Sequence, residues 1–189
     1  EIVIYYFVQT LMGPQLVISF TCPNLEKIVV NPDNKNFHSE DGILFNKTHS
    51  KVLLVPQNVN FTSYKFDDSI KTVGEYAFYK SQIADIYFNN VLYLKQGAFM
   101  ESNIAKVTIS KDLSIEQDIF SNCMNMEEVV FDEGVSKVPS ILFREAKIKK
   151  LYLPSTLKVI QNGAFKDCLE LEEVLCDNEN LTTIGDDAF

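Results

Sequence analysis

His38, Ser39 and Asp41 put a base, a hydroxyl and an acid within four residues, the residue types that acyl transfer uses. A working set needs the base held between nucleophile and orienting acid, and three side chains crowded into one turn do not reach that geometry. The chain also lacks the G-x-x-x-x-G-K-[ST] loop that cradles phosphate, the G-x-S-x-G nucleophile elbow and the H-E-x-x-H zinc helix. Metal chemistry has four thiols to draw on, Cys22, Cys123, Cys168 and Cys176, but no two of them form a C-x-x-C pair. The two histidines, His38 and His49, stand apart from any cysteine or paired acid arrangement. Acidic turns at Asp67, Glu133 and Asp177 lack the spaced oxygen ligands of a calcium loop and are expected to be solvated. The expectation is a chain with no catalytic residues, no metal and no cofactor, and hence not an enzyme.

Three glycosylation sequons begin at Asn46, Asn60 and Asn180 and lean the reading towards the secretory route. Asn46, at a hairpin turn, is the best placed of the three. A glycan on Asn60, at the entry to a strand, would crowd the neighbouring coil.

Composition narrows the partner. A net charge of -9 with no basic block excludes a nucleic-acid interface, which needs clustered Lys and Arg to neutralise phosphates. With no Trp, two His and fourteen Phe, the aromatics go to packing, and 189 residues at 46% hydrophobic suffice for one packed domain. The opening, EIVIYYFVQTLMGPQLVISF, is the most apolar stretch, but Gln9, Thr10, Gly13 and Pro14 interrupt it. It has no basic n-region either, so it reads as neither a membrane span nor an intact signal peptide. Starting without Met and stopping at Phe189 in mid-motif, the chain reads as a fragment, with membrane attachment left to regions outside it.

The elements that position these residues follow from a period. Turns ending at Phe78, Phe99, Phe120, Phe143, Phe165 and Phe189 recur at steps of 21, 21, 23, 22 and 24 residues, the range of leucine-rich repeats. Between them run short segments of the form apolar-x-x-apolar-x-apolar, beginning at Ile83, Ile104, Met126, Ile148 and Leu171, with an earlier one at Leu25. Each predicts a strand with one face inward, too short to bury itself and therefore stacked on its neighbours. Cys22, Cys123 and Cys168 take equivalent positions and Cys176 an inward slot, so the thiols read as small hydrophobes. Coils two apart lie about 10 Å from each other, too far for a Cys123–Cys168 disulfide. The apolar segments ILF and KVLLV, separated by NKTHS, predict a β-hairpin that projects from the stack, with Asp41-Gly42 turning into its first strand.

The residues Val73-Gly74 with Ala77-Phe78, Ile184-Gly185 with Ala188-Phe189, Cys123 with Met126 and Val129, and Cys168 with Leu171 and Val174, together with DGILFN, carry a resemblance. From about Cys22 to Phe189 the sequence resembles the BspA-like leucine-rich repeat family, also called the Treponema pallidum type. The resemblance implies a curved leucine-rich repeat solenoid of ~22-residue coils with a parallel β-sheet on one face, as in surface proteins of bacteria and of protists such as Trichomonas and Entamoeba. The expected layout is one solenoid over 1–189, with an atypical N-terminal coil at 1–24, the hairpin insertion at 35–57 and regular repeats over 58–189. Ile119 and Leu142 stand where the family has Ala, and Ser81, Ser102 and Ala146 where it has Cys. The changes before Phe120 and Phe143 suggest looser local packing.

Function is then sought on the outward strand face. One outward column runs Val29, Lys65, Tyr87, Thr108, Val130, Tyr152, Leu175. A solvated face favours polar residues, so this apolar-aromatic stripe suits protein contact, although such residues also simply suit strands. The neighbouring column alternates in sign from Asp85 through Lys106, Glu128 and Lys150 to Glu173, which resists slippage by one coil. Phe37, Phe45, Leu53 and Leu54 of the hairpin form a second apolar surface, read first as packing on the parent stack.

The site is thus expected at Tyr87, Thr108, Val130, Tyr152 and Leu175, with Lys106 and Lys150 beside them. The implied role is a non-catalytic recognition or adhesion module of a cell-surface or secreted protein. Its partner is a protein, with host matrix and cell-surface proteins as candidates, and not nucleic acid or a small-molecule substrate. The alternative is a spacer solenoid supporting an active domain elsewhere in a longer chain.

Overall fold

The structure, a computed structural model, describes residues 22–189, so most of the atypical coil expected at 1–24 lies outside the described residues. Three antiparallel strands come first: β1 (Phe37–Glu40), β2 (Ile43–Asn46) and β3 (Lys51–Leu54). From β4 (Ser63–Lys65) and β5 (Thr72–Val73) onward, each coil carries two short strands. The pairs are β6 (Asp85–Tyr87) with β7 (Tyr93–Leu94), β8 (Lys106–Ile109) with β9 (Ser114–Ile115), β10 (Glu128–Phe131) with β11 (Lys137–Val138), β12 (Lys150–Leu153) with β13 (Val159–Ile160), and β14 (Glu173–Cys176) with β15 (Thr183–Ile184). The even-numbered strands from β4 to β14 stack as one parallel six-stranded sheet on one face of the curved solenoid. The described residues contain no helix.

Phe residues from consecutive coils form the interior column. Phe78, Phe99, Phe120, Phe143 and Phe165 are fully buried. From Phe99 to Phe189 their ring centroids are spaced 5.5, 5.2, 5.5 and 5.4 Å apart, with planes within 14° of parallel. Ring pairs of this kind add about 0.5–1.5 kcal/mol each beyond the area they bury. The amide of each buried Phe donates to the residue before the next Phe, as in Phe120 to Leu142 O at 3.0 Å and Phe143 to Ala164 O at 2.9 Å. Ile119 and Leu142 are fully buried beside rings spaced like the rest, so the looser packing expected there does not occur.

A left-handed corner precedes every Phe turn, and another follows each from Phe78 to Phe165. Two residues before it, Tyr76, Gly97, Asp118, Ile141, Gly163 and Asp187 have φ of 52–63°. Two residues after it, Lys80, Glu101, Asn122, Glu145 and Asp167 have φ of 55–59°. Gly, Asn and Asp tolerate this region, and a β-branched residue such as Ile141 does so under strain. At Gly97 an added Cβ would also run into the Tyr76 ring.

Two features differ from the sequence reading. A second parallel ladder, absent from that reading, joins β5, β7 and β9, and another joins β11, β13 and β15. Their two-residue strands place Val73, Leu94, Val138 and Ile160 inward. The hairpin forms, but as part of a three-stranded meander, with Asp41 and Gly42 (φ 48° and 81°) joining β1 to β2. Instead of projecting freely, its last strand pairs in parallel with β5, Val52 against Val73, and so begins the second ladder. Gly74 permits the approach: its amide donates to Val52 O at 2.9 Å, where a Cβ would lie 2.7 Å from that oxygen. Ile43, Phe45 and Val52 are buried in the main core as a result.

Candidate functional site

The outward column is brought together on the even-numbered sheet. Lys65 registers with Tyr87, Thr108 with Val130, Val130 with Tyr152, and Tyr152 with Leu175. Tyr87 is 56% exposed and Leu175 42%, while Val130 and Tyr152 are half-buried and Thr108 is exposed. Leu175 owes part of its exposure to its strand: β14 is the sheet edge, and all four of its residues are exposed. For the same reason Cys176, expected inward, is exposed, whereas its counterpart Phe131 is buried.

The face has a break that the pattern did not foretell. Pairing between β6 and β8 holds at Asp85–Lys106 and goes no further, so Tyr87 and Thr108 splay apart. A groove of about 420 Å³ opens there, with Phe88 and Leu113 among its lining residues. Its walls mix apolar and polar groups, Ile86, Phe88 and Leu113 with Asp85, Asn89 and Lys106, beside the exposed Tyr87.

The alternating charges lie beside this column as expected. Glu128 pairs in register with both Lys106 and Lys150, and Lys150 with Glu173. Ion pairs form from Lys106 to Glu128 and, at 3.6 Å, from Lys150 to Glu173. Similar inter-coil pairs run around the stack, with Lys95–Glu116 at 2.7 Å and Lys149–Glu127 at 3.0 Å. The hydrogen bond from Lys95 holds Glu116 below the usual carboxylate range. Exposed pairs of this kind contribute little individually and serve to set coil register.

The acidic turns act as staples between coils. Glu133 accepts from Ser155 N and Ser155 Oγ, both at 2.9 Å, which lowers its pKa, and Asn178 donates to Pro154 O and Leu157 O at 2.9 and 2.8 Å. All four cysteines are free. The Cys123 and Cys168 thiols donate to the carbonyls of Phe99 and Phe143 at 3.2 and 3.1 Å, and burial pushes both thiols up to about 12. Of the sequon residues, Asn60 and Asn180 are exposed, while Asn46 Oδ1 accepts from Ser50 N and Lys51 N at 2.9 Å. Asn46 Nδ2 donates to Thr48 Oγ1 at 3.0 Å.

Coils of this length, with a Phe corner and a parallel ladder on one face, agree with the family comparison. Residues 57–123 and 94–189 match the BspA type leucine rich repeat region, in 6 copies. The chain belongs to this family. Its solenoid is a non-catalytic scaffold. A leucine-rich repeat protein from Eubacterium ventriosum is 26% identical with a TM-score of 0.76, over 84% of this chain and 44% of its own. A leucine rich cell surface protein from Faecalibacterium prausnitzii is 18% identical with a TM-score of 0.70, over 84% of this chain and 43% of its own. The leucine rich repeat protein of T. pallidum is 22% identical with a TM-score of 0.57, over 72% of this chain and 73% of its own. The chain thus spans less than half the length of the first two. No curated protein matches the sequence.

One group in this BspA-type chain lies outside the repeat, and sequence reasoning missed it. His38 and His49 are each beside a carboxylate: His38 Nε2 is 4.0 Å and His49 Nε2 3.5 Å from Glu40 Oε2, and His49 Nε2 is 2.9 Å from Asp67 Oδ2. The signal was the spacing of His38 and Glu40, two residues apart and so on one face of a strand. Ser39, on the opposite face, accepts from Val30 N at 2.8 Å through its hydroxyl, which removes the nucleophile set considered above.

Proposed function

We propose that this chain is a recognition module of a cell-surface or secreted protein, holding an extracellular protein on the sheet of β4 to β14. The supporting observation is the outward column Thr108, Val130, Tyr152 and Leu175, in register from strand to strand, with exposed Tyr87 across the groove, on a face whose neighbouring charges largely compensate one another. Tyr buries much area at small entropic cost, and the groove between β6 and β8 offers a pocket for an anchoring side chain. Lys106 and Lys150 border the column, each paired with a glutamate of the next coil. The cell-surface description of the F. prausnitzii relative agrees with such a placement. Adhesion to a matrix or cell-surface protein of a host is the form of recognition this face suits.

The test is capture of proteins from solubilised extracellular matrix and cell-surface fractions by the immobilised chain. Tyr152→Asp with Leu175→Asp should cut capture by about tenfold or more while leaving the far-ultraviolet spectrum unchanged. Tyr87→Asp should do the same from the groove side. Undiminished capture by these variants overturns the site, and no capture by the wild-type chain leaves a spacer.

A further inference from the structure

The chain has two histidines in 189 residues, and the fold brings both to one place. They arrive from different segments: His38 from β1, and His49 from the turn between β2 and β3, where its φ is 52°. Their rings meet edge to face with centroids 5.3 Å apart, and His49 is also stacked at 4.3 Å on Phe45, which is buried and fixes the ring. Glu40 lies between them, and one ligand atom from each of His38, Glu40 and His49 falls within 4.8 Å of the others. Glu40 Oε2 faces both imidazoles, 4.0 Å from His38 Nε2 and 3.5 Å from His49 Nε2.

We propose that His38, Glu40 and His49 form a binding site for a divalent transition-metal ion of the zinc class, with Asp67 closing the fourth position. Metal–nitrogen and metal–oxygen bonds of about 2.0–2.2 Å in a tetrahedron put neighbouring ligand atoms about 3.3–3.5 Å apart. Glu40 Oε2 lies 4.0 and 3.5 Å from the two imidazole nitrogens, near that edge, while Asp67, 2.9 Å from His49 and outside the trio, has to rotate towards His38 and Glu40 to join the shell. Two neutral imidazoles and two carboxylates balance a dication, and imidazole nitrogen selects zinc over calcium or magnesium. The Ser69 backbone N–H donates to Asp67 Oδ1 at 2.8 Å, leaving Oδ2 aimed at His49. Outer hydrogen bonds of this kind set the ligands of protein metal sites. Because Asp67 follows β4, the ion ties the meander to the first regular coil, beside the hydrogen bond from Ser69 Oγ to His49 O at 2.9 Å.

The test uses the 189-residue chain with Cys22→Ser and Cys176→Ser, which removes the exposed thiols, after treatment with a chelator. Calorimetric titration with zinc should give one equivalent per chain. Cobalt should develop a tetrahedral visible spectrum, and thermal unfolding should move upward with zinc. His38→Gln and His49→Gln should each abolish the stoichiometric step, and Asp67→Asn should weaken zinc by about tenfold. Metal-free unfolding midpoints of the variants matching the parent's show that the fold is intact. Parental zinc affinity in the double histidine variant overturns the site, as does the absence of any thermal shift in the parent.

Discussion

Between Phe78 and Phe165 nearly every side chain has a counterpart one coil away, whereas nothing in the stack repeats His38, Glu40 or His49. The stack satisfies itself: its Phe rings cover one another, its thiols bond to carbonyls of an earlier coil, and its acidic turns hold the next coil. The meander at the N-terminal end packs Ile43, Phe45 and Val52 into the same core but gathers titratable groups on its outer face. In a repeat protein, periodicity marks residues that packing explains, and a cluster without a period is where other chemistry is to be sought.

If that division holds, a periodic residue should affect stability alone. Phe120→Ala removes one ring from the middle of the column and should cost about 3–5 kcal/mol, read as a lower urea midpoint, with zinc binding by any remaining folded chain unchanged. A smaller loss from Phe120 than from an exposed strand residue such as Thr108 would break the comparison.

The thiols test it through pH. Burial raises Cys123 and Cys168 from 9.0 to about 12, so the unfolded chain loses these protons first as pH rises. The folded state then holds the greater number of protons, and stability should fall between about pH 9 and 12. Cys123→Ala with Cys168→Ala should flatten that slope. At pH 8, an alkylating reagent should modify Cys22 and Cys176 quickly and spare the other two.

The smallest effect has the opposite sign. Ile141 has φ of 55°, and Ile141→Asn should stabilise the chain by about 1 kcal/mol, measured by denaturant unfolding. The same change at a right-handed position should not.

Much of this was legible in the sequence for one reason: a one-dimensional stack turns sequence period directly into spatial adjacency. The Phe spacing therefore predicted the ring column, and the apolar-x-x-apolar-x-apolar segments predicted the parallel sheet with its charge alternation. The second ladder escaped because two residues such as Val138 and its neighbour Lys137 are too few to show a strand pattern. The outward column could be named residue by residue, but the groove beside Tyr87 could not, since it depends on where pairing between two strands stops. The histidine cluster was hidden for the opposite reason. His49 and Asp67 are 18 residues apart and meet only because β3 docks on β5, a contact outside the repeat.

The direction of the inter-coil bonds carries a mechanical consequence. Backbone bonds such as Phe99 N to Ile119 O join each coil to the next along the axis of the stack. Tension applied between the two ends therefore loads every interface in series, so extension is expected to begin at the weakest one.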